Sequence, residues 1–589
     1  MAHQSQGHEK IPAESQGSQN TAAKELVVVA IDFGTSFSGY AYSYTHEPSR
    51  IYMNKNWGNE VGCALYKTPT CLLLRPDGTL DSFGFEATEK YAEMEEEDCH
   101  KEWFYFDRFK LKLHTEVRLD RNIKLVAANG RTKSAMEVFS LAIRHLREHF
   151  FARQHNSVSD HDVRWVITVP SIWRDSAKQF MREAAKKAGI RVSSRLVICY
   201  EPEAASVFCQ RLSPHAFVGN FTAEGTRYLV LDCGGGTVDV TIQQILDNGH
   251  LATLHKASGG TWGGITVDRK FEQLLKDICE DEFIEDYKVR HPSDWVGLIR
   301  DFELKKRTVK GDSPTMINIR IPNSLREEFQ FAREMPMRDA CAKCNLGIQW
   351  AADKMRLPLL LVTEFFQDSI TSIINHVKTL FEEPEHTDIQ YIVLVGGFSE
   401  SPLLQQAVKD AFRDGHQVVI PPEEAGLAIV KGAVLYGHNP TVIQRRVSSM
   451  TYGIECVADF TDGVHPDEFK INIAGRDKCK NVFKTFVEAG SSVQIGENVT
   501  HRFKAVVPFK HTMQLPVYVS SSKDAKYTTD PDTTPLGKIS VSVPGQNDPG
   551  KERLVEVRMG FGDTEIHVTA VDLTTGNASL PVNINFLAK

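Results

Sequence analysis

Apolar residues in this chain gather into short runs that end on glycine. Residues 26–43, LVVVAIDFGTSFSGYAYS, read as an apolar strand that breaks at Asp32 and Gly34. The chain then passes Thr35-Ser36 into a second strand with Gly39 and Tyr40. Residues 229–242, LVLDCGGGTVDVTI, repeat that order: strand, Asp232, Gly234-Gly235-Gly236, Thr237, then an alternating strand through Asp239. A third apolar run in residues 391–408 meets Gly396-Gly397 and turns into a helical pattern. Residues 256–275 place Gly259, Gly260, Gly263 and Gly264 before another helix. Between them, VRWVITVP (163–170) predicts a buried strand, residues 176–190 an amphipathic helix, and residues 195–210 a strand followed by a helix. Strands alternating with helices, with glycine at the strand ends, predict an α/β architecture, and the repeated hairpin predicts two similar lobes. Ligands in such sheets collect where strand ends face each other.

After about residue 452 the periodicity changes. Residues 481–493, 501–510, 512–521 and 537–545 are short alternating runs separated by turns, which predict an all-β region. The division expected is a polar, disordered tail over 1–24, an α/β nucleotide-binding domain over 25–441, a linker over 442–451 and a β-sandwich over 452–589.

Composition narrows the function classes. With 68 basic and 76 acidic residues the net charge is −8, which disfavours nucleic acid or an anionic membrane as the main partner. No uninterrupted apolar run approaches the roughly 18 residues of a membrane span, and residues 1–24 lack the apolar core of a secretory signal. The 11 cysteines are scattered, as in a reducing compartment; Cys341 and Cys344 form a close pair with no matching second pair nearby. The expected location is cytoplasmic or nuclear. The acidic run at 93–102 reads as a solvated loop.

Each glycine turn alone reads first as a tight hairpin and only second as a row of bare backbone N–H groups that cradles a phosphate. A Walker loop needs Gly-Lys-Ser/Thr and a following helix, and the strand from Val238 excludes it. Occurring twice, the hairpins point to a polyphosphate clamp. Asp32 and Asp232 or Asp239 then stand where a hydrated Mg²⁺ would sit, and Thr35 and Thr237 offer hydroxyls.

The segments AIDFGTSFSGYA, VITVPSIWRDSAKQFMREAAKKAGI, YEPEAAS, LVLDCGGGTVDV and IVLVGGFSESP resemble, in order, the actin-like, ribonuclease-H-like duplicated ATPase domain of the 70-kDa heat-shock proteins. SGGTWGG and VGGFSES are more similar to the divergent heat shock 70 kDa protein 12 branch. The resemblance spans about residues 26–437. It implies ATP or ADP with Mg²⁺, and it places roles on this chain. Asp32, Gly34, Thr35, Ser36 and Phe37 fall on its first phosphate hairpin. Asp232, Gly234, Gly235, Gly236, Thr237 and Asp239 fall on the second, with Asp32, Asp232 and Asp239 toward the metal, through water. Glu201 matches its glutamate near the attacking water. Gly263 and Gly264 match its glycine pair. Gly396, Gly397, Phe398 and Ser399 fall on its adenosine loop. Glu303, Lys306, Arg307 and Lys310 fall on its adenine-side helix. Its catalytic lysine falls on Lys110 or Lys112.

Departures accompany the match. Glu400 stands where the family's adenine-stacking arginine is expected, and Lys310 where a small hydroxyl residue is expected, which implies altered base recognition and slow hydrolysis. The last strands, residues 562–586, are similar to the family's peptide-binding β-sandwich. The chain ends directly after them, so the resemblance implies no helical lid. Two functions follow. One is an ATP-regulated chaperone for unfolded or extended polypeptide, with co-chaperones. The other is a nucleotide-binding adapter with a vestigial ATPase that docks one specific protein. A sugar kinase on the same fold is disfavoured by the β region.

Overall fold

The computed structural model describes residues 25–589 apart from 58–64, 97–98, 117, 155–156, 192–194, 213–219, 387, 422–424, 474, 505–511, 543–553, 574–583, 585 and 588–589. The tail expected over 1–24 lies outside the described residues, as do parts of the runs at 501–510, 537–545 and 562–586.

The first lobe is built on β1 (Val27–Phe33), β2 (Phe37–Tyr44), β3 (Val163–Val169) and β4 (Leu196–Tyr200), in the spatial order β4-β3-β1-β2. All seven residues of β1 are buried, as a strand covered on both faces requires. β1 and β2 form an antiparallel hairpin from Val27↔Tyr44 to Phe33↔Ser38, while β1, β3 and β4 run parallel. Helices α1 (Ala135–Arg153) and α2 (Asp175–Lys187) bury Phe139, Ile143, Phe180 and Met181 in the same core as β1 and β3. α3 (Glu201–Cys209) follows β4 directly.

The second lobe repeats the plan with β5 (Arg227–Cys233), β6 (Val238–Ile245), β7 (Leu251–Thr253) and β8 (Ser258–Gly260). They are followed by α4 (Ile265–Cys279), α5 (Pro292–Lys306), α6 (Leu359–Glu382), β9 (Tyr391–Val395), β10 (Gln417–Val419) and α7 (Ala428–His438). Its core order, β10-β9-β5-β6, matches β4-β3-β1-β2 strand for strand: one antiparallel hairpin flanked by two parallel neighbours. The duplication read in the chain is thus a duplication of sheet topology. α3 and α7 share a core with Val28, Ala30 and Val166 of one sheet and Val230 and Val393 of the other. Gly432 makes their contact possible, because a Cβ there would stand 1.7 Å from the Ala204 carbonyl oxygen.

Residues 442–451, expected as a linker, contain strand β11 (Ile443–Val447). It pairs in parallel with β7 and so extends the second sheet. The C-terminal region follows with β12 (Thr451–Asp459), β13 (Lys470–Ile473), β14 (Arg476–Val487), β15 (Ser492–Gln494), β16 (Asn498–Lys504), β17 (Thr512–Ser520), β18 (Thr533–Ser542), β19 (Leu554–Gly560) and β20 (His567–Asp572). Two antiparallel sheets, β13-β14-β12-β17-β18 and β16-β19-β20, contribute to one core that includes Ile454, Val517, Ile539, Val557 and Ala570. β15 pairs with β11, so the C-terminal region is stitched onto the second lobe's sheet. Part of the acidic run expected as a loop is helical, since Phe85–Glu96 form a helix.

The C-terminal region also docks on the first lobe. Arg446 of β11 is buried and donates to both carboxylate oxygens of Glu203 at 2.7 and 2.8 Å, and to the Gly562 carbonyl. Lys178 of α2 donates to the Thr564 carbonyl at 2.8 Å. The Thr564 hydroxyl donates to the Ile198 carbonyl at 2.9 Å, and Tyr452 donates to Asp175 at 2.8 Å.

Candidate functional site

The two hairpin turns face each other across a cleft. A Cβ at Gly235 would stand 2.4 Å from the Ser36 hydroxyl, and one at Gly236 would stand 2.9 Å from that of Thr35, so any side chain there would close the gap. The glycine pair at the start of α4 packs against the second turn. A Cβ at Gly263 would stand 2.7 Å from the Gly234 carbonyl oxygen, and the N–H groups of Gly264 and Ile265 donate to the Gly234 and Gly235 carbonyls. Glycine at these places is a packing requirement as well as a source of bare amides.

Between the turns lies a cavity of about 330 Å³. Asp32, Gly34, Thr35, Ser36 and Phe37 line it from the first hairpin, and Asp232, Gly234, Gly235, Gly236 and Thr237 from the second. Lys110, Glu201, Gly264, Glu303, Lys306, Arg307, Gly396, Gly397, Phe398 and Glu400 complete the predicted part of the wall. Between the two candidate lysines the geometry selects Lys110. Its ammonium donates to Glu201 at 2.7 Å and lies over the Trp173 ring, whereas Lys112 pairs with Glu116 at the surface.

Four predicted residues are off the wall. Asp239 is buried behind the second hairpin, where it accepts from the Ser171 hydroxyl at 2.9 Å and the Ile172 N–H at 3.0 Å, tying that hairpin to the first lobe. Gly263 packs as described. Ser399 is buried and donates to the Gly396 carbonyl. Lys310 follows α5 on an exposed turn beside Asp312, so it is not among the lining residues. The helix that the resemblance places on the adenine side turns its charged end into the site. Lys306 is buried on Asp268 and the Gly264 carbonyl, and Arg307 lies 4.4 Å from the Phe37 ring centroid while pairing with Glu303.

Sequence reading missed Lys67. Its ammonium donates to Asp32 at 2.6 Å and to the Gly426 carbonyl at 2.7 Å, and it lines the cavity. No motif marks it; the signal lies in pairing, since Thr68–Pro69 form a short strand on β2. Cys341 and Cys344 are both free thiols.

The electrostatics favour a bound cation. Burial pushes the Asp232 carboxyl well above the usual range, and Glu201, Asp239 and Asp32 push the same way. Among the described residues neither Asp232 oxygen has a hydrogen-bond partner. Burial lifts Glu201 to about 7, with Lys110 pulling it down and Asp32 and Asp239 adding to the rise. Burial also raises Asp239 against its Ile172 and Ser171 hydrogen bonds. Asp32 alone is held low, because Lys67 and Lys110 outweigh its burial. Four buried carboxyls against two lysines fit a divalent ion that adds positive charge, and an unpartnered carboxylate is the group that would receive it.

Two lobes of equal topology, with glycine hairpins closing on a cleft lined by acids, define an actin-like two-lobed ATPase fold. The family model for Hsp70 protein matches residues 103–338 and 353–506, and the chain belongs to the Hsp70 family. It is 38% identical to heat shock 70 kDa protein 12A of Mus musculus over 621 residues, covering 95% of this chain and 92% of that protein. It is also 38% identical to heat shock 70 kDa protein 12B of Homo sapiens over 627 residues, covering 95% and 91%. Chaperone protein dnaK of Cyanidium caldarium is 27% identical over 338 residues, covering 56% of this chain and 48% of that protein. Among the described residues no helix is long and apolar enough to cross a membrane.

Proposed function

We propose that this chain binds ATP and ADP with Mg²⁺ in the cleft, hydrolyses ATP slowly, and uses the nucleotide state to control binding of extended polypeptide by its C-terminal region. The observation that carries the reading is the pair of glycine hairpins facing across a cavity in which Asp232 has no hydrogen-bond partner among the described residues. In this reading the turn amides and the Thr35 and Thr237 hydroxyls bind phosphate, Asp232 would hold the ion, Asp239 fixes the second hairpin behind it, and Phe398 packs beside the base. Bound there, the ion neutralises phosphate charge. Glu201, lifted to about 7 by burial, is suited to orient an attacking water and take its proton, and Lys110 holds it in place.

The C-terminal sheets are read as a β-sandwich that takes an extended segment through main-chain hydrogen bonds. The Arg446–Glu203 pair supports coupling, since Glu203 lies two residues from Glu201 on α3. A second reading, an adapter whose ATPase is vestigial, draws on Glu400 in the cavity wall, where it presents a carboxylate to the base side.

Single-turnover ATP hydrolysis with and without an unfolded client, for wild type and Asp239→Ala, separates the two. Client-stimulated turnover, lost in the variant, supports the chaperone cycle. Tight ATP binding with no hydrolysis and no client effect supports the adapter. An unchanged melting temperature with saturating Mg-ATP refutes nucleotide binding itself, because a ligand specific for the native state must stabilise it.

A further inference from the structure

Lys67 lines the cleft but has no part in the proposed function, and Gly39 lies against its stem. They form one arrangement. Gly39 faces Asp32 across the β1–β2 hairpin. A Cβ at Gly39 would stand 3.1 Å from the Lys67 Cγ and 2.9 Å from the Tyr66 carbonyl oxygen. The missing side chain therefore makes room for the Lys67 stem to lie along the strand and reach Asp32. The ammonium touches Asp32 Oδ2 at 2.6 Å and the Gly426 carbonyl at 2.7 Å. Gly426 follows Ala425, whose carbonyl accepts from Gly396 N–H, so Lys67 joins the acid of the first hairpin to the wall that carries the adenosine loop. An ammonium has three N–H donors. Two are committed, and Lys67 lines the cavity, so the third is available to a ligand there.

We propose that Lys67 is a built-in cation of this site: its ammonium occupies the place beside Asp32 and binds the nucleotide's phosphates directly, so nucleotide affinity depends little on Mg²⁺. This rests on the nucleotide-binding reading above. A divalent ion drawn to Asp32 Oδ2 meets a positive charge already in contact with that oxygen, and the repulsion between like charges at such range in a buried site is strong. The neutralisation that the phosphates need is supplied from the chain, as a point charge on a flexible stem, the form in which lysine serves phosphate elsewhere. Asp232, on the opposite hairpin, lines the cavity with no hydrogen-bond partner among the described residues and is where added Mg²⁺ is received.

The test is calorimetric titration of the full chain with ADP, in EDTA and in Mg²⁺. Wild type is expected to bind within about threefold in the two buffers, and Lys67→Thr to bind at least ~10-fold more tightly with Mg²⁺ than without. Lys67→Arg, which keeps the charge, is expected to follow wild type. If Lys67→Thr does not fold by circular dichroism, Lys67→Met, which keeps the apolar stem, takes its place. Wild type losing as much affinity in EDTA as the neutral variant overturns the proposal and leaves nucleotide binding standing. Folded wild type that binds no ADP in either buffer overturns the nucleotide reading and the proposal together.

Discussion

Replacing Arg446 by methionine should uncouple the C-terminal region from the first lobe. Arg446 and Glu203 side chains are 7% and 4% exposed, so both charges sit away from water. The guanidinium makes two hydrogen bonds to Glu203, one to the Gly562 carbonyl and one of 3.3 Å from Nη2 to the Tyr436 hydroxyl. Removing it strands a buried carboxylate and an unpaired carbonyl. Breaking a buried pair from one side costs about 3–5 kcal/mol, mostly the penalty of the charge left behind. The double variant Arg446→Met/Glu203→Gln removes that charge and should recover more than about 1 kcal/mol of the loss. Urea denaturation of the three proteins measures the stabilities, and limited proteolysis within residues 442–451 reports docking. A single variant that costs less than about 1 kcal/mol, or a double variant no more stable than the single one, would refute the argument from a buried, mutually neutralising pair.

Three further outcomes are expected. Lys110→Met should lower single-turnover ATP hydrolysis by about 100-fold while ADP binding persists, whereas Lys112→Met should leave the rate unchanged; equal effects would contradict the assignment from the Glu201 contact. Gly432→Ala puts a Cβ 1.7 Å from the Ala204 carbonyl oxygen, between α3 and α7, and should cost about 1–3 kcal/mol by overpacking, read as a lower melting temperature. His567 is raised above 6.5 by its hydrogen bond to Asp563, which the same contact holds below 3.8. The histidine's contribution is full below about pH 6.5 and fades as pH rises through its folded value. The aspartate's is present above about pH 3.8 and fades as pH falls through its folded value. The melting-temperature difference between wild type and His567→Gln should therefore be largest between about pH 4 and 6.5, and small, since the pair is open to solvent.

Much of this protein is legible along the chain because the relevant interactions are local. A buried strand needs a run such as VVVAIDF, a hairpin turn that meets another backbone needs glycine, and a helix packed between layers needs small residues such as Ala204 and Ala205. Each requirement is met within about ten neighbouring residues, so the repeated strand–Asp–Gly–strand pattern announced two lobes, two glycine turns and the acids beside them. The change of period near residue 452 is likewise a local signal, alternation within each short run.

Other decisions depend on residues that only the packed chain brings together. Lys110 rather than Lys112 enters the cleft because the turn of 3₁₀-helix at Phe109–Leu111 points one of two nearby lysines inward, toward Glu201, 91 residues away. Arg446 meets Glu203 across 243 residues only after β11 joins the second sheet, which is why a segment read as a linker is a strand. Lys67 reaches Asp32 because register places Gly39 opposite that acid. Charges paired in this way carry no local pattern. Their partners are set by sheet register and lobe closure, and burial then makes those pairings strong. The sequence by itself determined the two-lobed frame and its glycine turns; the tertiary structure decided which cations meet the acids beside them, because register and burial bring those partners together.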